Sequence, residues 1–340
     1  VKLFSEMAEQ PAVLAGLIQH GGADAASAFG LLCAPDVHHV VIAARGTSDN
    51  AARYAKYLWG GKLGLPVTLA APSLHTSYGT PPDYSGAAVV GISQSGQSPD
   101  LLAVVESGRR QGRPTIVITN EPESPLASLA DVVVSLRAGP ERSVAATKTY
   151  TATLLAIALI AAQSDRTGPT SVLGRAPDAV AEVLDAAPRI GAVARAFGPV
   201  RDCVVLGRGY NYSTSFEWAL KLQEMAYVLA HPFSTADFAH GPFAVLERDF
   251  PVLAVAVRGA LFDGTVEMLH RIRRERRAHL LVVTDDPSIG FPSIEIPPID
   301  EWLSPIPAIV AAQVFTEALA RVRGVDPEQP RGLRKVTKTT

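Results

Sequence analysis

The 340 residues carry 31 Lys and Arg against 33 Asp and Glu, a net charge of −2, and 47% of them are apolar. That balance lacks the clustered positive charge with which nucleic acid or an anionic membrane is held, so neither partner is expected. Cys33 and Cys203 are too few and too far apart for a disulfide framework or a zinc cluster, and the histidines show no HxxxH spacing; no metal and no other cofactor is expected.

The opening stretch, VKLFSEMAEQPAVLAGLI, has acidic residues where a secretory signal has a basic region and an apolar core, which points to the cytoplasm. Short β-branched runs then alternate with helix-period segments, the pattern of parallel strands joined by crossover helices. The run VIAARG at 41–46 hands over to a helical segment with Thr47 and Ser48 at the junction. The run AVVGISQSG, ending at Gly96, does the same with Ser93, Gln94, Ser95 and Ser98. At such a junction the helix offers free N–H groups and the positive end of its dipole, and hydroxyls there can surround a phosphate without adding charge. Ser98 followed by Pro99 reads equally well as a helix N-cap with a first-turn proline. Further on, TATLLAIALIAA at 151–162 falls short of the ~20 apolar residues of a membrane span and reads as a buried helix.

The second half echoes the first. VVLGRG at 204–209 matches VIAARG, with Arg208 standing 163 residues after Arg45. PVLAVAVRG, ending at Gly259, follows AVVGISQSG at the same offset of 163, and LVVTDDP at 281–287 follows IVITNEP at 165. Three strand-and-turn units in one order predict two tandem copies of an α/β unit. The expected division is a first domain over 1–165 with an N-terminal helix, a helical linker over 166–195, a second domain over 196–328 and a tail over 329–340. Where the first copy has Ser93, Gln94 and Ser95, the second has Ala256, Val257 and Arg258, so the fold itself does not require the hydroxyls.

In NYSTSFEWALKLQEMAYVLAH at 211–231, Glu217, Lys221 and Glu224 recur at spacings of four and three, within about 60° of one another on a helix. This is the ordinary pattern of an ion-pair stripe facing water, and it is also that of a carboxylate base beside a cation. His240, just before Gly-Pro, is a loop histidine able to act as acid and base near neutral pH, or simply a surface histidine. The basic run HRIRRERRAH at 270–279 reads as the solvated face of a helix, and the tail PRGLRKVTKTT, with Lys335 and Lys338, as solubilising charge.

Taken together, EMAEQP, ARGTSDNAARYAKYL, ISQSGQSPD, GPERSVAATKTYTA, LGRGYNYSTSFEWALKLQE, FAHGP and PRGLRKVTKTT resemble the SIS (sugar isomerase) superfamily in its tandem two-domain form. The sequence is similar to the isomerase half of glutamine:fructose-6-phosphate amidotransferase and to stand-alone SIS-type glucosamine-6-phosphate deaminases. The resemblance implies two flavodoxin-like three-layer domains with a C-terminal tail over the active site. It implies that Thr47, Ser48, Ser93, Gln94, Ser95 and Ser98 hold a sugar 6-phosphate, with Val144, Ala146 and Glu217 around the sugar.

Glu224 is implied as the base between C1 and C2, with Lys221 beside it and Lys335 able to form a Schiff base, which requires a neutral amine. His240 is implied to open the sugar ring from the neighbouring subunit of a homodimer. The substrate expected is a hexosamine or hexose 6-phosphate. No glutaminase-like stretch is present, which favours release of ammonia from glucosamine 6-phosphate over its capture. The sequence departs from the family at Ala146 (VAATK for VASTK), at Trp218 and Gln223 (EWALKLQE for EGALKLKE), at His231 and Pro232 (AHPF for AEAF) and at Ala239. Those departures keep open a C2–C3 dehydration or plain isomerisation of an N-acetylated or other hexose phosphate. A sugar-phosphate-binding regulator without catalysis is the alternative of another class.

Overall fold

A computed structural model describes residues 2–165, 169–333 and 335; Lys338 lies outside the described residues. The first half builds one parallel sheet from β1 (His39–Ala43), β2 (Val67–Leu69), β3 (Ala87–Ile92), β4 (Thr115–Thr119) and β5 (Val132–Ser135), in the order β2-β1-β3-β4-β5. The second half builds another from β6 (Asp202–Gly207), β7 (Leu229–Ser234), β8 (Pro251–Ala256), β9 (His279–Thr284) and β10 (Ser293–Glu295), in the order β10-β9-β8-β6-β7. Renumbered within its own half, the second order is the first read backwards. Both are the 2-1-3-4-5 arrangement of the doubly wound flavodoxin type. The tandem α/β reading of the echo therefore holds, down to register: Val41 pairs with Val89, and Val204 with Val252.

Continuous apolar runs form these strands because helices cover both faces of each sheet. All six residues of β3 are buried. Val41, Ala87, Val89 and Val117 pack with Val104 and Val105 of helix Pro99–Arg110. In the second half Leu206, Val252, Ala254 and Val282 pack with Leu269 and Ile272 of helix Phe262–Arg276.

The compact units do not follow the two halves of the chain. The unit of the first sheet comprises Ala12–Arg142 and Lys148–Gly174, together with Lys335 from the tail. The unit of the second sheet comprises Val1–Pro11, Ser143–Thr147 and Arg175–Leu333. The N-terminal helix, expected with the first domain, thus belongs to the second-sheet unit. Leu3 and Met7 join Ala145 and Met225 in one apolar cluster, and buried Gln10 donates to Gln313 Oε1 at 3.1 Å. Much of the stretch expected as a linker is a layer of that unit: helices Arg175–Asp185 and Ala187–Ala196 pack against helix Pro305–Val322.

Helix Lys148–Ala161 is buried at every residue, as its composition predicts. Among the described residues one helical segment, Glu301–Val322, is long and apolar enough to cross a membrane, and 94% of its most apolar window is buried within the protein. The basic run fills the last turns of helix Phe262–Arg276, with Arg273 and Arg274 exposed, and continues through Arg277 to His279 at the start of β9. It is more than a solvated face, because Arg271 and Arg276 lie over the Phe243 ring and Arg273 over Phe291.

Candidate functional site

In the 2-1-3-4-5 order the connection leaves β1 in one direction and β3 in the other, so the crevice at their C-terminal ends is the topological switch point. Both hydroxyl clusters of the first copy sit there. Thr47 and Ser48 open helix Thr47–Leu63, half-buried, after Gly46 with φ +52°. Ser93 follows β3 directly; it is 6% exposed, and its Oγ accepts from the Gly96 N–H at 3.0 Å, which curls the turn. Gly96 has φ +61°, and a Cβ there would stand 2.0 Å from Ser124 Oγ, so no other residue fits without displacing the turn.

Ser98 occupies the N-cap position of helix Pro99–Arg110 with Pro99 in the first turn, as one of the two readings required. Its side chain nevertheless makes no capping hydrogen bond, which leaves the hydroxyl available to a ligand. The two turns are tied together by Arg45 Nε and Asp100 Oδ2 at 2.7 Å, the carboxylate being buried and the guanidinium half exposed. Nearby, burial pushes the Asp49 carboxyl up, and Arg53 and Arg45 partly counter it. Gln94 and Ser95 line a cleft of about 520 Å³ with Gln97, Ser124 and Lys335; Thr47, Ser48, Ser93 and Ser98 are not among its walls.

The second-sheet unit holds the other residues. On helix Tyr212–Ala226, Lys221 Nζ lies 2.6 Å from Glu224 Oε2 and 3.4 Å from Glu217 Oε1. Side-chain exposures of 1% for Lys221, 0% for Glu217 and 25% for Glu224 exclude the water-facing stripe. Burial alone lowers the Lys221 amine, but the charges of Glu217 and Glu224, with their hydrogen bonds, outweigh it and hold Lys221 above the ordinary lysine range. The result is a buried ammonium that fixes one partly open carboxylate, an arrangement with which a carboxylate can accept a proton.

Val144 and Ala146 are half-buried on either side of Ala145, whose contact with Met225 brings this segment to the helix that carries Glu224. Sequence reasoning gave no role to the residues that hold the segment. Glu6 Oε2 accepts from the Ser143 N–H at 3.1 Å, and Gln313, bonded to Gln10, reaches the Thr147 carbonyl at 3.5 Å. Glu6 and Gln10 lie within EMAEQP, so the motif carried the signal without its purpose.

His240 caps helix Thr235–Ala239 and is exposed, so the structure does not bury it with Glu217 and Lys221. Two of the departures from the family have partners of their own. Trp218 turns into the core, fully buried and edge-on to Phe315, and Gln223 donates to the Ala230 carbonyl. His231 is exposed on β7. No group of three His, Cys, Asp or Glu side chains able to hold a metal occurs among the described residues.

The second copy's own switch point is filled from within. Glu301 Oε2 accepts from the Ala260 N–H at 3.0 Å, and a Cβ on Gly259 would stand 2.1 Å from the Glu301 Cδ. Tyr210, the counterpart of Thr47, is raised by burial and by the Glu301 charge. Leu261, the counterpart of Ser98, presses on Gly209, where a Cβ would meet it at 2.6 Å. An apolar side chain and an internal carboxylate occupy the place that hydroxyls line in the first copy.

Comparison with known proteins agrees with this geometry. The SIS domain profile matches residues 35–163 and 199–288. The chain is 34% identical, over 98% of its length, to a glutamine--fructose-6-phosphate aminotransferase [isomerizing] of Gloeobacter violaceus, of which it spans 58%. Among solved structures, a protein of Silicibacter pomeroyi DSS-3 named as a candidate phosphosugar isomerase superposes with a TM-score of 0.86 at 31% identity, covering 96% of this chain and 99% of that one. The C-terminal domain of glucosamine-fructose-6-phosphate aminotransferase from Francisella tularensis gives 0.87 at 26% identity, covering 96% and 98%. With two profile matches falling on the two sheets that the sequence echo predicts, the chain belongs to the SIS domain family.

Proposed function

We propose that this protein is a sugar 6-phosphate aldose–ketose isomerase of the deaminating kind, converting glucosamine 6-phosphate and water to fructose 6-phosphate and ammonia. The observation that carries the reading is the buried Glu217–Lys221–Glu224 cluster, in which one carboxylate alone is partly open. An ion-pair stripe made for solubility would face water. In this reading the hydroxyls of Thr47, Ser48, Ser93, Ser95 and Ser98, with Gln94 and two helix N-termini, hold the phosphate. His240, exposed on its own chain, opens the sugar ring in the neighbouring subunit of a homodimer.

Glu224 then takes the C2 proton of the open-chain aldose and returns it at C1 through the enolamine. Lys221 aims Glu224 through their ion pair and stabilises negative charge as it develops. The resulting C2 imine adds water and releases ammonia. Val144 and Ala146 border the sugar, and Glu217 holds Lys221.

C2–C3 dehydration of an N-acetylated substrate drew its interest from Trp218, His231 and Ala239. Trp218 is fully buried in the core, which favours the deamination reading. A silent sugar-phosphate sensor has no use for a buried base cluster.

The deciding experiment incubates the protein with glucosamine 6-phosphate, galactosamine 6-phosphate and their N-acetyl forms. Ammonia is assayed and products are identified by mass spectrometry. Ammonia from a free hexosamine phosphate, lost in Glu224→Gln, is the expected outcome; an unsaturated product, or tight binding without turnover of any of the four, would replace the reading.

A further inference from the structure

Glu141 stands in GPERSVAATK without a role so far. Its side chain is 0% exposed, and its carboxylate accepts hydrogen bonds from Thr149 and Lys335. The Thr149 N–H reaches Oε1 at 3.1 Å and the Thr149 hydroxyl reaches Oε2 at 2.7 Å. Both come from the first turn of helix Lys148–Ala161, where a carboxylate offsets the dipole. The bond from the tail has nothing to do with capping: Lys335 Nζ reaches the same Oε2 at 2.7 Å. Lys335 keeps 24% of its side chain exposed and lines the cleft with Gln94 and Ser95. A buried carboxylate therefore holds the tail amine at the wall of the serine turn.

We propose that Glu141 positions the Lys335 amine in that cleft and is its proton acceptor when the amine adds to the sugar carbonyl. The proposal rests on the reading of Lys335 as a nucleophile toward the ketose. An ammonium has no lone pair, so it must first lose a proton, and the nearest base is the carboxylate 2.7 Å away. The step balances without any other reactant. Lys335 passes one proton to Glu141, its nitrogen bonds to the carbonyl carbon, and a second amine proton moves to the carbonyl oxygen to give a carbinolamine. Glu141 then returns its proton to the departing hydroxyl, water leaves as the C–O bond breaks, and a protonated imine remains.

The full chain is incubated with fructose 6-phosphate and sodium borohydride, and the reduced adduct on the Lys335 peptide is measured by mass spectrometry. The native protein labels at Lys335, and Lys335→Arg does not. Glu141→Gln keeps an acceptor for Thr149 but no base, and labels at least about tenfold more slowly at an unchanged melting temperature. Thr149→Val keeps the backbone bond to Oε1 but loses the hydroxyl bond to Oε2 and melts lower, yet labels at nearly the native rate. Labelling of Glu141→Gln at the native rate, slowing by Thr149→Val to the same degree, or no adduct on the native protein would each overturn the proposal. Ammonia release assayed in parallel separates the two readings: turnover without adduct sinks this one alone, and adduct without turnover sinks the deaminase reading alone.

Discussion

The turn after β3 and the turn after β8 share a fold, a register and a place at their switch points, yet their contents are opposite. One is lined by half-buried hydroxyls and a serine that declines to cap its helix. The other is packed with Leu261 and closed by the Glu301 carboxylate. The 2-1-3-4-5 topology thus supplies a place for negative charge twice, and side chains decide whether it stays available or is neutralised from within. In a duplicated fold one switch-point turn can keep its hydroxyls while the other is filled by side chains, at the cost of a few substitutions.

The comparison can be broken experimentally. The largest effect is expected on the chemistry of the second-sheet unit: Glu224→Gln lowers turnover about 10³-fold with little change in phosphate affinity, read as kcat against KM and as exchange of the C2 proton with deuterated solvent. If Glu224→Gln retained most of its turnover, the base would have to be sought elsewhere. Lys221→Met leaves two carboxylates facing each other around an apolar chain and is expected to cost about 3–5 kcal/mol in denaturant unfolding.

The same amine carries a pH signature. Because Lys221 is raised in the folded state, its contribution is complete below the unfolded lysine value, about 10.4, and is lost as pH rises through the higher folded one. Alkaline unfolding curves of native protein and Lys221→Met should therefore converge above that point; parallel curves would contradict a lysine held by two carboxylates.

Smaller effects separate the two turns. Ser98→Ala should raise KM for phosphorylated substrate about tenfold while leaving stability within about 0.5 kcal/mol, since no cap is lost. A loss near 1 kcal/mol with unchanged KM would show Ser98 to be an ordinary cap. Glu301→Ala should do the reverse, costing about 1 kcal/mol for its hydrogen bond to Ala260 with no change in KM. A KM that moved with Glu301 would mean that the second turn is not purely structural.

Much of the fold was legible because it is written in local patterns and repeated. The offsets of 163 and 165 aligned β1 with β6, β3 with β8 and β4 with β9, while the strand order came only with the structure, in agreement with the flavodoxin-like arrangement that the resemblance implies. The turn serines were legible as candidates because hydroxyls at a strand-to-helix junction have few uses. Burial of Glu217 and Lys221 was not, because an i, i+4 pair has the same spacing on a surface and in a core; only the partner elements decide. The inward turn of Trp218 and the exposure of His240 belong to the same class. Least legible was the membership of Val1–Pro11 and Ser143–Thr147 in the second-sheet unit. Contacts between segments so distant in sequence leave no local trace.

That last feature bears on the order of events during synthesis. The Leu3 N–H is bonded to Glu328, 325 residues further along, and the apolar cluster around Leu3 and Met7 is completed by Met225. Residues made before the first sheet therefore complete their set of partners only after the second is largely made. The first sheet can form from its own strands as they are made, but the cover of Leu3 and Met7 stays incomplete until Met225 has been added. The late stage of folding is thus set by the topology at the N-terminal segment, and a cut at residue 165 leaves that segment with Ser143 and Ala145 but takes away Met225, Gln313 and Glu328.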